Sequence, residues 1–248
     1  MCTVQPMVPR EGHLKAAMRM LSHVKTFPKG RILFDTKCPE VKKLEGQEHN
    51  WVEFCPDAKE EPPPDMLEPK GKLVRITVCL DADHAHDVVT RRSVTGTLVL
   101  LNNTPMQWVC EHQKTVETST CGSELVAARI AAELVTALRH QLRMLGAPFD
   151  GPAMIHGDNQ SVALNTTIPF SVLKKNHHAC AHHGVWEAIA AKTIVFRCVK
   201  LSENLAGVLT KPLVLQDSHA LVKFCLFRVP KWGPEHRIAS ENSRELPR

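Results

Sequence analysis

A layered α/β fold with a mixed sheet is what residues 73–213 of this 248-residue chain predict, on three observations. Three strand-like runs come first, two of them joined by hairpin chemistry. A long apolar stripe at helical spacing follows. Helical and strand-like segments then alternate, the pattern of a sheet covered by helices.

Residues 11–26 place Leu14, Ala17, Met18, Leu21 and Val24 at three- and four-residue steps, an amphipathic helix that Pro28 and Gly30 stop. Gly30 to Asp35 is a short strand candidate. Residues 53–72 are rich in Pro, Glu, Asp and Lys around Pro62-Pro63-Pro64. That composition buries little apolar surface and reads as a linker. Strands are expected at 74–81, 95–102 and 105–111, with Asn102-Asn103-Thr104-Pro105 as the turn between the last two. A helix over 121–146 ends at Gly146 and Pro148. Next come a strand at 152–157, a short helix from Asn159, a helix at 172–191 and a strand at 193–199. A short helix at 203–211 is stopped by Pro212, and 214–229 forms one more amphipathic element. The polar stretch from Pro230 reads as a frayed end.

Composition narrows the class. Hydrophobic residues make up 43% of the chain, and no run of 18 apolar residues suggests a membrane span. No basic-then-apolar leader opens it, so the expectation is an intracellular protein, cytoplasmic or nuclear. The nine cysteines are scattered without a CxxC pair and read as reduced thiols. A net charge of +5 is compatible with a polyanionic partner without requiring one. Tyrosine is absent, while fourteen histidines are present.

Three carboxylates stand at element ends. Asp81 closes the run Val74 to Asp81, Glu124 lies in the first turn of the long helix, and Asp158 falls at a strand-to-helix step. Each has a plain reading: an acidic turn, a dipole-favoured first-turn acid, an N-cap. Glu124 nevertheless shares a stripe with Ala128, Ala131, Val135, Leu138, Leu142 and Leu145. A carboxylate on a sheet-facing stripe must be neutralised or paired, and metal is one way to do so.

At this point the sequence resembles a known family. Asp81-Ala-Asp83-His84-Ala, Arg91-Arg92-Ser93-Val94-Thr95-Gly96, Gln113-Lys114-Thr115-Val116 with Ser119-Thr120 and Glu124, Gly157-Asp158-Asn159-Gln160-Ser161, and Leu209-Thr210-Lys211-Pro212-Leu213 carry the likeness. Residues about 75–213 resemble the ribonuclease H domain of copia-type retrotransposon Pol polyproteins. The stretch from Pro9 to Leu14 and its helix are similar to the tail of the preceding reverse transcriptase. The resemblance implies a mixed five-strand sheet flanked by helices that cleaves the RNA strand of an RNA:DNA hybrid. Asp81, Glu124 and Asp158 would hold two Mg²⁺ ions, or Mn²⁺ in their place. Arg91, Arg92, Lys114, Lys174 and Lys175 are candidate phosphate contacts, although such residues are more often solvated surface charges. The implied division is 1–52 as a reverse transcriptase remnant, 53–72 as linker, 73–213 as the RNase H-like domain and 214–248 as a C-terminal extension. In intact relatives the partner is the reverse transcriptase portion of the same polyprotein.

The chain departs from the pattern where it closes. The family's last motif carries an aspartate where this sequence has Gly207, in Leu205-Ala206-Gly207-Val208-Leu209-Thr210-Lys211. Glycine offers no ligand, and inside a helix it costs about 1 kcal/mol relative to alanine. Glu203 lies four residues earlier, but helical side chains lean toward the N-terminus, away from the site. His86, Cys121, His182, Gly184 and Trp186 are further departures. Those at Cys121, His182, Gly184 and Trp186, like Gly207, match single-base codon changes and suggest an element drifting without selection. Three hypotheses remain: an active hybrid ribonuclease, a weakened or dead domain of the same fold, and a zinc module built on His177-His178-Ala-Cys180-Ala-His182-His183. The last lacks a distant Cys/His pair at suitable spacing, so a histidine-rich helix surface explains it better.

Overall fold

A computed structural model describes residues 11–26, 32, 34–37, 49–149, 151–169, 171, 179–213 and 215–225. Its elements are α1 (Glu11–Thr26), β1 (Ile76–Asp83), β2 (Val94–Leu101), β3 (Thr104–His112), α2 (Thr120–Met144), β4 (Ala153–Gly157), α3 (Gln160–Thr167), α4 (Ala179–Ala190), β5 (Ile194–Cys198), α5 (Gly207–Thr210) and α6 (Leu215–Cys225). The strands form one five-stranded sheet in the order β3-β2-β1-β4-β5. β1, β2 and β3 run antiparallel, whereas β4 and β5 lie parallel to β1 and to each other. This is the mixed, RNase H-like architecture that the sequence predicts.

Central position explains the composition of β1. All its residues but Asp83 are buried, because helices cover both faces. Ile76, Val78, Leu80 and Ala82 join one core with Ala128, Ala131, Val135, Val185 and Ile189 of α2 and α4. The alternate residue Cys79 belongs to a second, smaller cluster with Leu98, Leu100 and Ala206. α5 therefore closes the opposite side of the sheet at the end where Asp81 lies.

Close packing fixes α5 there. Asp81 stands opposite Gly96 in the β1–β2 register. A Cβ at Gly96 would lie 2.6 Å from Thr210 Cγ2 and 3.0 Å from Leu209 Cβ, so only glycine lets α5 approach β2 this closely. Asn204, fully buried, donates from Nδ2 to the Leu80 carbonyl at 2.8 Å and accepts from the Ala206 amide at 3.2 Å. These bonds explain a difference from expectation. Instead of a helix over 203–211, a 3₁₀ turn at Leu201–Glu203 gives way to Asn204, and α5 starts at Gly207. Gly207 is the first residue of α5, not an interior one, so it escapes most of the interior-glycine penalty.

Other expectations meet local corrections. α1 forms as predicted, yet Leu14, Met18 and Leu21 of its apolar stripe are exposed. Phe34, Asp35 and Thr36 are not strand; they dock on the β2–β3 turn through Asp35 N to Thr104 Oγ1 (2.8 Å) and Asn102 Nδ2 to the Thr36 carbonyl (3.1 Å). The α2 stripe is buried from Glu124 to Val135 and continues with Leu138 and Leu142 packed partly buried against the same core, whereas Leu145, the residue after the helix, is exposed and Arg139 is buried. Arg139 meets Glu60, from the stretch read as a linker, through Nε to Oε1 at 2.7 Å and Nη2 to Oε2 at 2.8 Å. The helix expected over 172–191 is α4 from Ala179, its first seven residues lying outside those described. Cys55, Cys79, Cys121, Cys180 and Cys198 are outside any disulfide, but Cys110 is disulfide-bonded, against the expectation of reduced cysteines. Among the described residues no helix is long and apolar enough to cross a membrane.

Candidate metal centre

Three elements deliver one carboxylate each. Asp81 comes from β1, Glu124 from the second turn of α2, and Asp158 from the residue after β4. One oxygen of each lies within 4.8 Å of the others. Asp81 is fully buried and Glu124 is 6% exposed, so neither is a solvated turn or outward first-turn acid. Nor is Asp158 the cap of α3. Asn159 is, its Oδ1 accepting from the amides of Ser161 (3.0 Å) and Val162 (3.2 Å). With the cap supplied next door, Asp158 faces the other two acids.

A polar scaffold sets the entry of α2. Ser119 caps the helix by accepting from the Gly122 amide at 3.2 Å. Ser123 Oγ lies 2.8 Å from both His84 Nδ1 and Ser93 Oγ, on the loop between β1 and β2. Gln113 donates from Nε2 to Thr95 Oγ1 (2.9 Å) and to the Ser123 carbonyl (2.8 Å). These bonds hold the turn containing Glu124 over the end of β1, where the Ala82 amide donates to Glu124 Oε1 at 3.3 Å.

The site is short of positive charge. Lys211, just after α5, places Nζ 2.8 Å from Asp81 Oδ1 and 3.7 Å from Asp158 Oδ2. Thr210 donates its hydroxyl to Asp81 Oδ2. Glu124 Oε2 is buried with no hydrogen-bond partner. Burial, with the negative charges of Asp81 and Asp158, pushes the Glu124 carboxyl up to about 8. Burial and Asp81 likewise raise Asp158. Burial works against a charged Lys211, but its hydrogen bond to Asp81 and the charges of Asp81, Asp158 and Glu124 outweigh this and raise its pKa. Three acids held by a single ammonium, with one buried carboxylate oxygen left orphaned, are a donor set suited to a hard dication, which takes carboxylate oxygens.

A pH dependence follows for the metal-free protein. Glu124 has a folded pKa above its unfolded value of 4.5, so between that value and about 8 the folded state binds a proton that the unfolded state has released. Stability therefore falls as pH rises through that window, and Asp158 acts in the same direction. Chemical denaturation in chelator should give lower stability at about pH 8 than at about pH 5.5, with Glu124→Gln flattening the difference. An unchanged slope in Glu124→Gln would remove this carboxyl as its source.

The remaining candidates are more scattered. Arg91, Arg92 and Lys114 are exposed. Arg92 and Lys114 flank a backbone bond from the Gln113 amide to the Ser93 carbonyl, at the same sheet end as Asp81. Lys174 and Lys175, with His177 and His178, lie outside the described residues. Glu203 is exposed in the 3₁₀ turn and does not join the acids. His182 and Trp186 are core residues: their rings meet at a tilt with centroids 4.3 Å apart, and His182 Nε2 and Trp186 Nε1 lie 2.9 and 3.0 Å from the Asn165 carbonyl. The acidic trio is the one potential metal-binding group among the described residues. Sequence reading missed Lys211 and Thr210 as site residues, although the Leu-Thr-Lys-Pro motif containing them had been picked out.

Comparison with known proteins adds a distant relationship. The chain is 27% identical over 131 residues to the retrovirus-related Pol polyprotein from transposon TNT 1-94 of Nicotiana tabacum, a copia-type polyprotein; the match covers 53% of this chain and 10% of that protein. This chain thus corresponds to about a tenth of that relative's length. No protein-family model matches. Among solved structures, the N-terminal RNase H domain of a Mycobacterium tuberculosis protein is 14% identical, covering 55% of this chain and 91% of that one, with TM-score 0.43. LC11-RNase H1 in complex with an RNA/DNA hybrid is 12% identical, covering 54% and 93%, also with TM-score 0.43.

Proposed function

We propose that residues 73–213 are a retrotransposon-derived RNase H-like domain whose acids Asp81, Glu124 and Asp158 hold Mg²⁺ or Mn²⁺ and hydrolyse the RNA strand of RNA:DNA hybrids, with activity reduced by the missing carboxylate at Gly207. One observation carries this reading. Three elements converge three carboxylates within 4.8 Å, and one of them keeps a buried oxygen without a partner.

Bound there, divalent metal would activate water and stabilise the leaving oxygen of a phosphodiester. The chain's own residues do the positioning. Thr210 fixes one oxygen of Asp81, and the Ala82 amide fixes one of Glu124, leaving Glu124 Oε2 free to accept. Arg91, Arg92 and Lys114 would contact substrate phosphates, and Lys174 and Lys175 are carried as further candidates. Selection of RNA would rest on 2′-hydroxyl contacts and the shape of the hybrid. The partner in intact relatives would be the reverse transcriptase portion of the polyprotein.

A second reading has its own support. Gly207 supplies no ligand and Lys211 already neutralises Asp81, which favours a catalytically dead relic retaining nucleic-acid binding at most. Cleavage of end-labelled RNA in a hybrid, with Mg²⁺ and with Mn²⁺, separates the two. Metal-dependent cleavage by the natural chain that Asp81→Asn abolishes supports the enzyme. A folded natural chain that retards the hybrid but leaves it intact supports the relic.

A further inference from the structure

The ammonium of Lys211 lies against the same carboxylate oxygens that a metal would need. It is 2.8 Å from Asp81 Oδ1 and 3.7 Å from Asp158 Oδ2. Oxygens shared between an ammonium and a dication at close range place two positive centres against each other, and their repulsion rises as separation falls. Only one is held well at a time.

We propose that Lys211 is a built-in counter-ion that competes with divalent metal for Asp81 and Asp158, so metal affinity depends on how readily this lysine withdraws. The inference rests on the reading of the acids as a metal centre. Three features support it. The Lys211 side chain is 33% exposed while Asp81 is fully buried, so the lysine is the partner with a route to water. Lys211 is the C-cap of α5 with extended backbone (φ −112°, ψ 140°), so its stem leaves the helix there and can swing without unwinding a turn. When it withdraws, Asp81 retains the Thr210 hydroxyl. Lys211 is also an incomplete substitute for metal, because Glu124 Oε2 stays buried and unpartnered beside it.

The arrangement makes opposite demands on the two states. Without metal, Lys211 holds the clustered acids together; with metal, it must give way. Titration of the full-length chain with Mn²⁺, reading free ion by its magnetic resonance signal, tests this without reference to catalysis. Lys211→Met is expected to lower the Mn²⁺ dissociation constant about tenfold, equivalent to about 1.4 kcal/mol. Lys192→Met, which removes one positive charge from the turn between α4 and β5, should leave it unchanged. Thermal unfolding adds a second signature: Lys211→Met melts below the natural chain in chelator and gains more from Mn²⁺. Lys211→Arg covers the case in which Lys211→Met fails to fold. A guanidinium stays charged and grips carboxylates more firmly, so Mn²⁺ binding should weaken.

Mn²⁺ binding by the natural chain that Lys211→Met fails to tighten, or Lys211→Arg fails to weaken, overturns the competition and leaves the metal centre standing. Absence of Mn²⁺ binding in both the natural chain and Lys211→Met overturns both ideas.

Discussion

Gly207→Asp is expected to tighten divalent-metal binding about tenfold or more, about 1.4 kcal/mol, and to raise hybrid cleavage above that of the natural chain. Thr210 and Lys211 follow Gly207 by three and four residues, and both reach Asp81. Helical spacing puts a side chain at 207 on that same face. Gly207 is buried, yet a Cβ added there would meet nothing within 4 Å outside its own chain neighbours and helix backbone, so the first side-chain carbon of an aspartate enters without a clash. The fourth acid adds a hard oxygen ligand where three already converge. Its cost falls on the metal-free state, which would hold four acids against one lysine. The variant should therefore melt below the natural chain in chelator and above it with Mn²⁺. Adding Asp81→Asn should abolish both gains. If Gly207→Asp binds metal no better while folding normally, the open space at 207 does not lead to the acids.

The sheet was legible because its signals are local. β2 and β3 flank a turn whose Asn102 takes φ +55°, a conformation asparagine tolerates better than most residues. The long stripe of α2 marks a helix by itself. Lengths and boundaries were less legible where distant partners set them. β1 continues to Asp83 because β2 pairs with it that far, so Asp81 sits inside the strand and not at its end. The break at Asn204 depends on a carbonyl 124 positions earlier in the chain. Neither partner is visible in a local window.

The site divides along the same line. Asp81, Glu124 and Asp158 stood out by position and by resemblance, but their local alternatives could be settled only in three dimensions. Asn159 takes the cap that a local reading assigns to Asp158, and Ser123 with Gln113 turns Glu124 inward. Lys211 was not legible as a site residue. A lysine before proline reads as an ordinary helix stop, and its ion pair spans 130 positions. His182 and Trp186, read as drift, are built into the core beside Asn165, so departure from a family pattern did not mark these positions as loose.

Glu60→Ala should destabilise the protein by about 3 kcal/mol, whereas Glu61→Ala next to it should cost almost nothing. Composition makes the two positions look alike, both in a Pro- and charge-rich stretch. The structure separates them. Glu60 bonds Arg139 through two nitrogens and meets Arg143 Nη2 at 2.7 Å; its side chain is 17% exposed, and those of the arginines are 5% and 18%. Glu61 is exposed, and its pairing with Lys59 spans 3.8 Å. Truncating Glu60 leaves a buried guanidinium without its anion. The Gly151 carbonyl at 3.0 Å and the Phe149 ring, 4.7 Å from the guanidinium carbon, still attend Arg139, which puts the loss at the lower end for a broken buried pair. The pair also has a pH signature. Burial would raise the Glu60 pKa, but hydrogen bonds and charge from Arg139 and Arg143 outweigh it, so the folded value lies below 4.5. Its stabilisation is complete above that value and is lost as pH falls through the folded pKa. Urea denaturation of both variants at neutral and acidic pH, with proteolysis across residues 53–72, measures all three effects. Equal, negligible losses in Glu60→Ala and Glu61→Ala would mean that this stretch is a linker after all, as its composition suggests. A large loss confined to Glu60→Ala would make it a strap bound to α2, and any fragment of this domain cut at residue 72 would lack the counter-ion of its own buried arginine.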